Sequence, residues 1–81
     1  MWMCDLMILI DHKNVDHNSL SDLVSAIIHA GATIVDVDEQ ALVIEAVVPG
    51  HLISVVQAME GVAYVRCRFS YLSNSTLPVA A

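Results

Sequence analysis

The chain has 81 residues, 57% of them hydrophobic, and a formal charge of −6 with only three cations, Lys13, Arg66 and Arg68. That length allows one domain with one core, and so much apolar content excludes disorder. The acidic balance argues against nucleic acid, because phosphate contacts need a cationic surface and single-strand binders need stacking aromatics.

No apolar run approaches the roughly 20 residues of a membrane span; "ALVIEAVV" carries Glu45 and is closed by Pro49. Asp5 interrupts the apolar start and no basic region precedes it, so the start does not read as a signal peptide. A chain this short buries only about 60–65% of its extended surface. An apolar excess over what one small core hides raises the expectation of a sticky face or a dimer.

The first segment, "CDLMILID", has strand length. Its even positions, Cys4, Leu6, Ile8 and Ile10, form an apolar face, while Met3, Asp5, Met7, Leu9 and Asp11 mix apolar and acidic groups. That asymmetry suits a sheet with one face on a core and the other less buried.

After the polar stretch "DHKNVDHN", Ser19 is a candidate helix cap with Asp22 as its box partner. Leu20, Leu23, Val24, Ile27 and Ile28 repeat at helical steps, and Gly31 supplies the left-handed stop. "ATIVDVDEQALVIEAVV" then predicts two antiparallel strands, about 33–38 and 41–48, joined by a short turn.

Pro49-Gly50 starts a second helix with the stripe Leu52, Val55, Val56 and Met59, ended by Gly61. The last strand, "VAYVRCRFSYL", places Ala63, Val65, Cys67 and Phe69 toward the core and Tyr64, Arg66, Arg68 and Ser70 away from it. Residues 1–72 thus form the domain, and residues 73–81, with their Ser, Thr, Asn and Pro, have the composition of a flexible tail.

The predicted order is β-α-β-β-α-β, with one apolar stripe per helix, so both helices cover one face of one sheet. Right-handed crossovers then give an α+β, ferredoxin-like sandwich with strand order 4-1-3-2. The helix-free face would show Met7 and Leu9 from the first strand and Val43, Glu45 and Val47 from the third. The last strand would add Tyr64, Arg66 and Arg68. Charge pairing with Asp5 and Asp11 is enough to account for the two arginines; the apolar members make a patch of the kind that marks an interface.

Catalytic chemistry finds no foothold: there is no glycine-rich phosphate loop and no Ser, His and acid in a nucleophile setting. His12 and His17, beside Asp11 and Asp16, read as solvated loop residues, since zinc needs three or four convergent ligands. His29 suits the C-terminal end of a helix. No metal or cofactor is expected. The acidic turn Asp36, Asp38 and Glu39 reads as a solvated hairpin tip, or as an anion that caps a partner's helix. Cys4 and Cys67 read as buried free thiols of a cytoplasmic protein, able to meet if their strands are neighbours.

The segments "AMEGVAYV" and "AGATIVDVDEQALVIEAVVP" resemble the prodomain and inhibitor group of subtilisin-like proteases, over residues 6 to about 70. The helix-glycine-valine-strand element is also similar to that of ACT-type regulatory domains and heavy-metal-associated domains; the CxxC pair of copper carriers is missing. The prodomain resemblance implies a sheet face laid on two surface helices of a protease, and a C-terminal extension entering the active-site cleft as a substrate would. Here the face would be Met7, Leu9, Val43, Glu45, Tyr64 and Arg66, and the extension would begin near Tyr71 and Leu72. The expectation is therefore a non-enzymatic protein-binding module, a prodomain-like protease inhibitor or chaperone. The alternative is a self-associating, ACT-like regulatory or small-ligand-binding domain that forms a homodimer through the same face.

Overall fold

The computed structural model describes residues 1–13 and 17–72, the side chains of residues 17 and 18 aside. Its elements are β1 (Trp2–Ile10), α1 (His17–Ala30), β2 (Thr33–Asp38), β3 (Val43–Pro49), α2 (Ile53–Gln57) and β4 (Val62–Leu72). A single turn of 3-10 helix, Gly50–Leu52, leads into α2. The four strands form one antiparallel sheet in the order β2-β3-β1-β4, the ferredoxin-like arrangement expected from the element order. Among the described residues, no helix is long and apolar enough to cross a membrane.

Alternation along the two central strands builds the core. Leu6 and Ile8 of β1 pair with Ala46 and Ile44 of β3, and all four are fully buried. Leu20, Leu23 and Ile27 from α1, and Val56 from α2, close over them. Ile28, expected in the stripe of α1, is half exposed. It lies at the rim of the apolar arc, which Leu20, Leu23, Val24 and Ile27 already fill. Helix α1 begins at His17, so Ser19 sits inside its first turn rather than before it.

The helix ends as its glycine predicts. Gly31 N–H donates to Ile28 O at 3.0 Å and Ala32 N–H to Ile27 O at 3.3 Å, the paired bonds of a Schellman stop. Gly31 has φ +115°, and a Cβ there would lie 2.9 Å from Leu52 Cδ1. Leu52 can swing aside; the backbone angle cannot be relieved that way. Gly31→Ala is expected to cost about 1–2 kcal/mol, read as a lower urea midpoint at unchanged slope. An unchanged midpoint would mean that the turn relaxes at no cost.

The second helix is shorter than its apolar spacing predicts. It ends at Gln57, and Gly61 (φ +96°) belongs to the turn beyond, where Val62 N–H donates to Met59 O at 3.2 Å. Leu52, Ile53, Val56 and Met59 pack inward, whereas Val55 points outward. The 3-10 turn explains that change, because its three-residue period rotates the stripe before the α-helix begins.

The β2–β3 hairpin closes on an Asx turn: Asp38 Oδ1 accepts from Gln40 N–H at 3.1 Å and Ala41 N–H at 2.9 Å. Leu42 then takes φ +56°, which delays β3 to Val43. The expected tail, residues 73–81, lies outside the described residues.

Candidate functional site

The sheet face opposite the helices can be followed row by row from β4 to β2. One row runs Tyr64, Leu9, Val43, Asp38 and the next Arg66, Met7, Glu45, Asp36. A third runs Phe69, Asp5, Val47, Thr33, and the last is Tyr71, Met3, Pro49. Every expected face residue, Met7, Leu9, Val43, Glu45, Val47, Tyr64, Arg66 and Arg68, lies on this one surface. The arrangement offers an apolar middle, a cationic side along β4 and an acidic side along β2.

Two aromatic members were hidden from sequence alternation. Phe69, expected in the core, is 55% exposed on the open face. The cause is a β-bulge: Leu6 pairs with Cys67 but Asp5 pairs with Phe69, so Arg68 is the extra residue. Beyond it the phase of β4 inverts. Phe69 and Tyr71 turn outward beside one another, their ring centroids 6.1 Å apart, while Ser70 and Leu72 pass to the helix side opposite Cys4 and Trp2.

A second register shift, between Leu9–Tyr64 and Ile10–Val62, leaves Ala63 unpaired and exposed, where alternation had placed it in the core. Tyr71 and Leu72 are themselves the last paired residues of β4. Any extension therefore starts at residue 73, outside the described residues.

The bulge has an electrostatic consequence. It sets Arg68 over the open face, where its Nη1 lies 3.2 Å from Glu45 Oε2 and 3.8 Å from Asp5 Oδ2. Asp5 is only 4% exposed, and its Oδ1 is buried with no hydrogen-bond partner among the described residues. The arginine pairing expected from the sequence thus holds for Arg68, with Asp5 and Glu45 as its partners. Asp11 lies past the end of β1, where its Oδ1 accepts from Lys13 N–H at 3.0 Å. Arg66 is exposed beside Met7, with no ion pair among the described residues.

The two cysteines are free and close. Both lie on the helix side of neighbouring strands, as diagonal partners across the β1–β4 pair. Cys4 is buried as expected, but Cys67 is exposed, because the short α2 leaves most of β4 uncovered on the helix side too. Burial pushes the Cys4 thiol up, and the adjacent Cys67 thiol adds to the shift. Cys67 Sγ donates to Phe69 O at 3.4 Å. Cys4, whose thiol burial keeps protonated, is a poor nucleophile.

The loop carrying His12 and His17 falls partly outside the described residues; His12 itself is exposed. Among the described residues, no three His, Cys, Asp or Glu side chains converge on a point where a metal ion could sit. Compared with known proteins, the chain matches no family model, no curated protein and no solved structure.

Proposed function

We propose that this chain is a non-enzymatic protein-binding module that acts through its uncovered sheet face, as a prodomain-like protease inhibitor or chaperone. One observation carries the reading: Met7, Leu9, Val43 and Val47 lie together on a face that no helix among the described residues covers, flanked by the exposed rings of Tyr64, Phe69 and Tyr71. Contiguous apolar surface rimmed by charge is costly to leave in water and characteristic of docking sites. Aromatic residues and arginine are also the types that contribute most to binding energy at protein interfaces. The Arg68 bridge to Asp5 and Glu45 holds part of that rim in place before a partner arrives.

The test is inhibition of a subtilisin-type protease by the full chain and by residues 1–72. Inhibition by the full chain, weakened in the shorter form, is the expected outcome. Failure of both forms to inhibit or to bind removes the protease reading. A self-associating, ACT-like domain that forms a homodimer through the same face is the second reading; the apolar Met7, Leu9, Val43 and Val47 suit it, and a clean monomer in sedimentation at micromolar concentration would remove it.

A further inference from the structure

The sheet has two edges, β2 and β4, and among the described residues neither has a strand beside it. β4 is 11 residues long and exposed on both faces over most of its length. It carries Arg66 and Arg68 and no acidic residue, whereas β2 carries Asp36 and Asp38 and no cation. Long exposed edges are templates for further strand pairing, and natural proteins usually blunt them. We propose that these two edges fit one another, so that copies of this chain join β4 to β2 into an open-ended antiparallel sheet.

Three features carry the inference, and all lie along the two edge strands, whose outward side chains border the face used above. The first is direction. The sheet has an even number of strands, all antiparallel to their neighbours, so a copy translated sideways brings its β2 antiparallel to β4 with every helix on the same side.

The second is register. Each edge strand takes one extra residue between the Met7 row and the Asp5 row: Arg68 in β4, and Val35 in β2. Continuing the rows across the joint therefore sets Tyr64 opposite Asp38, Arg66 opposite Asp36 and Phe69 opposite Thr33, without a slip.

The third is charge. Arg66, which has no ion pair among the described residues, meets Asp36 directly and Asp38 diagonally, both within reach of an arginine. A two-fold β4-to-β4 pairing would instead set two strands that carry only cations against each other. Because the β4-to-β2 contact is heterologous, it leaves a free edge at each end and does not close at a dimer.

Sedimentation of the wild-type chain, Arg66→Glu, Asp36→Arg and an equimolar mixture of the two variants tests this. Wild type should gain mass with concentration beyond a dimer. Each variant alone should associate roughly tenfold more weakly, and mixing them should restore association, because the reversed charges are again opposite. Circular dichroism confirms that each variant is folded; if one is not, Arg66→Ala and Asp36→Ala replace the pair and should each weaken association. A monomeric wild type, a dimer that stops growing, or variants that associate as wild type does would overturn the proposal. None of these outcomes bears on protease inhibition, which is scored separately.

Discussion

Replacing Arg68 with alanine is expected to lower the unfolding free energy by about 1–3 kcal/mol, while Asp5→Leu raises it by about 1–2 kcal/mol. The two variants remove opposite ends of one ion pair, yet their effects differ in sign. Arg68 is half exposed, so water screens much of its Coulomb attraction. The larger part of its contribution is to partner a carboxylate that is almost wholly buried, with one oxygen already unbonded. Take Arg68 away and that carboxylate has no side-chain partner among the described residues. Take Asp5 away and Arg68 still has Glu45 at 3.2 Å, while a leucine would sit among Met3, Met7 and Val47. The double variant should resemble Asp5→Leu rather than the sum of the two, which a double-mutant cycle measures. If Arg68→Ala is neutral, solvent or a neighbouring side chain already satisfies Asp5.

Leu6→Ala is expected to be the most damaging single truncation, at about 2–5 kcal/mol. Leu6 is fully buried in a central strand, paired with Ala46 on one side and Cys67 on the other. Small neighbours on both sides cannot collapse into the space it leaves. A domain of this size holds only about 5–15 kcal/mol of stability, so the variant should melt well below wild type, by about 4–8 °C for each kcal/mol lost. The same truncation at exposed Val35 should change the melting temperature little, and equal losses at both positions would contradict the burial pattern.

Element order and strand order were legible because they depend on periodicity. Cys4, Leu6, Ile8 and Ile10 of β1 and Ile44, Ala46 and Val48 of β3 are all buried, as alternation places them, and Gly31 stops its helix where the apolar stripe runs out. Most of the open face followed, since alternation sets the facing along β1 and β3 and from Tyr64 to Cys67 of β4. What could not be read was the phase of β4 after Arg68. "VRCRFSYL" alternates without interruption, so nothing in its pattern marks an extra residue. The bulge comes from pairing with β1, and it aims Arg68 at two carboxylates that lie far away in sequence.

For the same reason Phe69, which read as core, is exposed, and the aromatic pair on the open face was missed; Cys67 keeps its helix-side position and is exposed because α2 is too short to cover it. The second helix failed on length. A 3-10 turn and an α-helix both satisfy short apolar spacing, so Gly50–Leu52 could not be told from a first helical turn by pattern alone.

The central claim, that this chain works through its uncovered sheet face, is tested most directly by titrating the isotope-labelled protein with a catalytically inactive subtilisin-type protease. The account predicts amide shift changes concentrated at Met7, Leu9, Val43, Val47, Tyr64 and Phe69, with the outer faces of α1 and α2 unmoved. Changes confined to the helices, or none at all at micromolar protease, would contradict it.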